Sequence, residues 1–132
     1  MPPKIILDSN FLLIPTEFKL DIFEAMTTLL NQRYDPIVLS TTQRELARMA
    51  EKGAPKLRRQ AKMALELAEK CQLAHVERKT IESSDDVIVR IAAQWKCPVA
   101  TNDSELRRRL RDISIPVVYL RQKSRLELEG SL

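Results

Sequence analysis

Two short apolar stretches, almost a hundred residues apart, each end in a carboxylate: Lys4-Ile5-Ile6-Leu7 runs into Asp8, and Cys97-Pro98-Val99-Ala100-Thr101-Asn102 runs into Asp103. An acid that closes so apolar a strand gains little structurally, which makes Asp8 a candidate for chemistry. If both stretches are parallel neighbours in one buried sheet, their tips lie side by side, where open α/β sheets bind ligands. Two like charges in one cleft repel unless a cation lies between them, which points to a carboxylate metal site and to hydrolysis.

Further acids fall at corners of the same kind: Glu45 after Ser40-Thr41-Thr42, Asp85 with Asp86 after Ser83-Ser84, and Glu105 just after Asp103. Asn10 adds an amide oxygen two residues beyond Asp8. A donor set of oxygens, without a cluster of His or Cys, suits Mg²⁺ or Mn²⁺. Each acid also has a local explanation. Thr42 and Glu45 have capping-box spacing, Ser83 and Asp86 nearly so, and Asp85 and Asp86 meet the dipole of a first helical turn. Asp103 can cap the helix bearing Leu106 and Leu110, and Glu105 can pair with Arg108 or Arg109. Their joint placement is what argues for a site.

The elements that must position these residues alternate between strand and helix. Lys4 to Asp8, Pro36 to Leu39, Leu73 to Val76, Pro98 to Thr101 and Ile115 to Leu120 read as strands. Helical spacing runs from Phe18 to Leu30, through Leu46, Met49 and Ala50, and from Lys56 to Cys71. It resumes from Ser83-Ser84 to about Lys96, burying Ile88, Ile91, Ala92 and Trp95, and from Asp103 to Arg111. Such alternation predicts an α/β fold with a parallel sheet of about five strands covered on both faces. Residues 1–120 make one domain in this reading, and 121–132 a polar C-terminal tail.

Composition narrows the function classes. Only two glycines among 132 residues leave no glycine-rich phosphate cradle, and 30% charged residues beside 44% hydrophobic ones exclude a disordered chain. Cys71 and Cys97 have no paired spacing for zinc and read as reduced thiols. No apolar run is long enough to span a membrane and no signal-peptide pattern opens the chain, so a cytoplasmic location without membrane contact is expected. The net charge of +4 is unevenly spread, with one basic cluster from Arg44 to Lys62 and a second from Arg107 to Arg111. Basic stripes beside an acidic pocket suit a polyanion such as RNA, although Lys and Arg also simply solvate helix faces.

Taken together, Ile5-Ile6-Leu7-Asp8-Ser9-Asn10, Glu45, Asp85-Asp86-Val87-Ile88-Val89 and Val99-Ala100-Thr101-Asn102-Asp103-Ser104-Glu105-Leu106 resemble the PIN-domain nucleases over roughly residues 4 to 120. Thr101 to Leu110 and Ile115 to Leu120 look more like the PIN proteins of small-subunit rRNA maturation, and toxin ribonucleases of the VapC type are also similar. The resemblance implies a three-layer α/β/α sandwich and a metal-dependent endoribonuclease leaving a 3′-hydroxyl and a 5′-phosphate. Its catalytic quartet would be Asp8, Glu45, Asp85 and Asp103, supported by Asn10 and Thr101. One or two Mg²⁺ or Mn²⁺ ions would be held by Asp8, Asp85 and Asp103, with Asp86 and Glu105 as further ligands. Asp85 has Ile88 and Ala92 at the family's spacing, but Asp86 stays an alternative direct ligand.

Charge crowding of this kind raises carboxylate pKa values, and metal ions relieve it while activating water for in-line phosphodiester displacement. Arg44, Arg48, Arg107 and Arg108 are candidates for gripping RNA phosphates. Aromatic side chains are few and none forms a stacking pair, so single-stranded RNA with little sequence reading is the expected substrate. Partners implied by the resemblance are an antitoxin or a ribosomal precursor, and a second copy of the chain through the helix from Lys56 to Cys71 or through Leu126, Leu128 and Leu132. Two other readings stand beside the nuclease: an inactive RNA-binding scaffold, and a phosphohydrolase of small esters.

Overall fold

The structure, a computed structural model, describes residues 2–132. Strands β1 (Lys4–Leu7), β2 (Asp35–Leu39), β3 (Gln72–Ala74), β4 (Val99–Ala100), β5 (Val117–Arg121) and β6 (Arg125–Glu129) form one sheet in the order β3-β2-β1-β4-β5-β6. The first five run parallel and β6 is antiparallel to β5. Helices α1 (Ser9–Leu12), α2 (Ile14–Glu17), α3 (Ile22–Leu30), α4 (Ser40–Lys52), α5 (Pro55–Ala68), α6 (Ser84–Trp95) and α7 (Ser104–Asp112) occupy the crossovers.

Period-two alternation sends the strand side chains into two separate cores. Ile5, Leu7, Val38, Ala100 and Val118 pack with Phe11, Met26, Leu46 and Ala64 of α1, α3, α4 and α5. On the opposite face Ile6, Ile37, Leu39, Val99 and Val117 pack with Ile88, Ile91, Leu106 and Leu110 of α6 and α7. The result is the expected three-layer α/β/α sandwich, with apolar residues on both faces of every central strand. Ile5, Ile6, Leu7, Leu46, Ile88 and Leu106 are wholly buried; each such side chain stabilises the fold by about 2 kcal/mol.

From β1 the chain adds β2 and β3 on one side, then crosses back to place β4 and β5 on the other. The strand order therefore reverses between β1 and β4. Loops leaving those two strands diverge to opposite faces and open a crevice at their carboxyl ends. Asp8 follows β1 and Thr101 follows β4, so the first candidate acid stands at this switch point.

Several expectations need correction. Residues 121–132 are not a free polar tail: β6 pairs with β5 from Val117↔Glu129 to Arg121↔Arg125, and Leu126 is buried in the first core. The alternation Leu126-Glu127-Leu128-Glu129 is a strand pattern, and Gln122 and Lys123, at φ 55° and 61°, supply the tight turn before it. Leu126 consequently belongs to the core and Leu128 packs against it, half-buried. The helix expected from Phe18 starts only at Ile22, because the Asp21 carboxylate accepts the Phe23 and Glu24 backbone N–H groups, both at 3.1 Å. Trp95, expected to be buried, lies in the last turn of α6 and is 39% exposed.

Candidate active site

The register Leu7↔Ala100 makes Asp8 and Thr101 the next residues beyond adjacent strand ends. Asp8 N–H donates to the Ala100 carbonyl at 2.9 Å, extending the ladder by one step. Three side-chain hydrogen bonds then set the geometry. Thr101 Oγ1 donates to Asp8 Oδ2 at 2.8 Å, Asp103 N–H donates to Thr101 Oγ1 at 3.1 Å, and Ser9 N–H donates to Asp8 Oδ1 at 2.8 Å. Thr101, wholly buried, thus joins the two carboxylate-bearing corners that lie furthest apart in the chain. Asp103 caps α7 through one oxygen only: Oδ1 accepts from Glu105 N–H at 2.8 Å and from Leu106 N–H at 3.2 Å.

Asp8 is 1% exposed, and burial pushes its carboxyl up from 3.8 to about 7. The Thr101 hydrogen bond opposes that shift, while the charges of Asp85 and Glu45 add to it. Asp85, half-buried at the start of α6, is likewise raised, first by burial and then by the charges of Asp103 and Glu45. Asp8 thus feels the charges of Asp85 and Glu45, and Asp85 those of Asp103 and Glu45.

Their local explanations separate. Ser83 and Asp86 form a capping box, with Asp86 N–H donating to Ser83 Oγ at 3.1 Å and Ser83 N–H to Asp86 Oδ2 at 3.0 Å. The other oxygen of Asp86 receives Arg109 Nη2 at 2.9 Å, and these bonds hold its carboxyl below the usual range. Both oxygens of Asp86 are thereby engaged. Glu45 is the reverse case. No side chain caps α4, which begins at Ser40, so the Thr42–Glu45 box is not formed and Glu45 is left free. Arg109 pairs with Asp86, and Glu105 is exposed.

Glu45 and Asp103 line two separate clefts. One, of about 530 Å³, is lined by Glu45 and Ser84 together with Thr41, Arg44, Arg48, Val76, Glu77 and Arg78. The other, of about 350 Å³, is lined by Asp103 with Asn10, Glu17, Asn102 and Ser104 over Leu13, Ile14 and Phe18. Arg108 is exposed, whereas Arg107 lies with its guanidinium 4.1 Å from the Tyr119 ring centre.

All donors of the candidate ligands Asp8, Asp85 and Asp103 are oxygens. That chemistry fits a hard divalent cation that keeps part of its hydration shell. Among the described residues no three acidic, imidazole or thiol side chains are already drawn together around a single point.

Arg78, Glu77 and Thr41 were not legible as site residues. Arg78 and Glu77 lie in an irregular segment after β3, without periodicity or motif. Contacts distant in sequence place that segment: Ser40 Oγ bridges the Val76 N–H and carbonyl, and Arg90 grips Glu82 and the Glu77 carbonyl.

A family model described as a PIN like domain matches residues 5–123. Ribonuclease VapC4 of Methanocaldococcus jannaschii is 31% identical over 129 residues, covering 96% of this chain and 97% of that protein. The chain belongs to the PIN-domain ribonuclease superfamily. Within it, the rRNA-processing protein FCF1 of Saccharomyces cerevisiae is 33% identical over 119 residues, 89% of this chain and 59% of FCF1. The solved PIN domain endonuclease Utp24 superposes with a TM-score of 0.80 at 28% identity, covering 99% of this chain and 94% of Utp24's. Among the described residues of this PIN domain no helix is long and apolar enough to cross a membrane.

Proposed function

We propose that this PIN domain is a divalent-metal-dependent endoribonuclease that hydrolyses phosphodiester bonds in single-stranded RNA. One observation carries the reading: the hydrogen-bonded line from Asp103 through Thr101 to a buried Asp8, ringed by the charges of Asp85 and Glu45. So costly a grouping of like charges has no structural return and is relieved by a cation. Asp8, Glu45, Asp85 and Asp103 are the catalytic acids in this proposal. Asp8, Asp85 and Asp103 hold one or two Mg²⁺ or Mn²⁺ ions, and Glu105 extends the acidic rim.

Asp85 is preferred over Asp86 as direct ligand, because Asp86 is committed to the capping box and its charge is already compensated by Arg109. Asp86 instead positions α6 against α7. A bound divalent ion supplies charge neutralisation and Lewis-acid activation for in-line displacement at phosphorus. The chain's own groups do the rest. Thr101 holds Asp8 in one rotamer, Ser9 N–H fixes its second oxygen, and Asn10 borders the route to Asp103. Arg44 and Arg48 meet the RNA backbone beside Glu45. Arg108, exposed on α7, is a separate contact, and Arg107 is held over Tyr119. Because Asp8 is buried, an extended strand reaches the centre more readily than a duplex.

An antitoxin or a ribosomal precursor is the partner in this proposal, and likeness to the rRNA-processing protein FCF1 supports the second. A homodimer belongs to the same proposal and is tested by sedimentation. The central test is cleavage of an unstructured RNA and its duplex with Mn²⁺ or with EDTA, followed by end mapping. Expected are metal-dependent cuts in the single strand, with a 3′-hydroxyl and a 5′-phosphate, that Asp8→Asn abolishes. Cleavage that persists in EDTA or in Asp8→Asn rejects the mechanism.

A further inference from the structure

The two clefts beside the acidic centre differ in charge. On the β2–β3 side the larger one carries Arg44, Arg48 and Arg78 against Glu45 and Glu77. On the far side of β1 the smaller one carries Glu17 and Asp103, and no cation lines it. A polyanion that meets the centre is therefore attracted along one side and repelled along the other.

The three guanidinium groups are also unengaged. Among the described residues none of them forms an ion pair, whereas Arg90 is held by Glu82 at 2.8 Å and Arg109 by Asp86 at 2.9 Å. Thr41 lines the same cleft, is 4% exposed, and its hydroxyl has no hydrogen-bond partner among the described residues. A buried hydroxyl without a partner needs an acceptor, and phosphate oxygens accept from both hydroxyls and guanidinium forks. Arg78 is not on a loose loop. Ser40 Oγ accepts from Val76 N–H at 3.0 Å, and Arg90 ties down the other end through Glu82 and the Glu77 carbonyl, the latter at 2.7 Å.

We propose that this cleft is a phosphate subsite, in which Arg78, Arg44 and Arg48 with the Thr41 hydroxyl hold a phosphodiester next to the scissile one, on one side only. The substrate class follows: RNA with at least one further charged linkage on that side of the cut, gripped asymmetrically. This rests on the ribonuclease reading and adds to it the direction from which the strand enters.

The experiment uses an RNA oligonucleotide with a single mapped cut, carrying one neutral methylphosphonate linkage stepped outward from the cut in each direction. In the wild-type protein a neutral linkage at one position on one side raises KM about ten-fold, and its counterpart on the other side changes little. Arg78→Ala suffers a similar loss on unmodified RNA, and the neutral linkage then adds nothing; Arg78→Lys lies between. Equal penalties on both sides, or a penalty that survives Arg78→Ala, overturns the subsite. Binding without turnover separates this from failure of the nuclease reading. Arg78→Ala flattens the slope of log affinity against log salt by about 0.7 even if no RNA is ever cut, and an unchanged slope overturns the subsite by itself.

Discussion

Exchanging Asp8 for Asn should stabilise the metal-free protein at alkaline pH and destabilise it in acid. The buried carboxyl titrates at about 7 in the folded chain, against 3.8 as its ordinary value. Between those values the folded state retains a proton that the unfolded state has lost. The folding penalty of this group is thus absent below about pH 4, grows as pH rises, and is complete above pH 7. Three units correspond to about 4 kcal/mol. Asn avoids that penalty, but its single amide oxygen can accept from only one of the Thr101 hydroxyl and the Ser9 N–H, a loss of about 1 kcal/mol. The variant is then more stable than wild type by about 3 kcal/mol at pH 8, or roughly 10 °C in Tm for a chain of this size, and less stable by about 1 kcal/mol at pH 4. Thermal scans in EDTA across this range measure both ends. Adding Mn²⁺ at a hundred times its Kd should raise the wild-type stability by about 2.7 kcal/mol and leave Asp8→Asn unmoved. A Tm difference that stays constant from pH 4 to pH 8 would refute the argument from burial.

Thr101→Val keeps the shape of a wholly buried side chain but strands Asp8 Oδ2 and the Asp103 N–H. It should cost about 2 kcal/mol in urea titration and lower kcat far more than KM, because it acts through Asp8. Leu126→Ala should cost about 2 to 3 kcal/mol by the same measurement, since Leu126 is 6% exposed within the first core; a loss under about 0.5 kcal/mol would mean that β6 is a surface strand only. Arg90→Ala releases the Glu77–Glu82 segment, so hydrogen exchange there should accelerate while the core amides of β1 and β4 keep their protection; unchanged exchange would show that Ser40 alone anchors the segment.

Much of this was legible in the chain itself. Short runs such as Ile5-Ile6-Leu7 and Pro98 to Ala100 are apolar on both faces, which only a strand between two helical layers tolerates, so layers and strand direction follow from local chemistry. Asp8 was legible for the same reason, as a charge at the end of a stretch that has no use for one. Glu45 and Asp86 had to wait for coordinates. Both sit at capping spacing, and only the start of α4 at Ser40 and the approach of Arg109 tell a free carboxylate from an engaged one. Arg78 gave no sign at all, because its place depends on Ser40 and Arg90, groups far from it in sequence.

What the sequence by itself determined was the inventory: which side chains must be buried, which segments alternate, and which acids lack a local purpose. Tertiary structure decided which of those acids share a crevice, since the reversal of strand order between β1 and β4 brings Asp8 beside Thr101 and Asp103 across almost a hundred residues. Periodicity acts between neighbours along the chain, whereas hydrogen bonds and charge repulsion act through space, and the latter exist only once the sheet has closed.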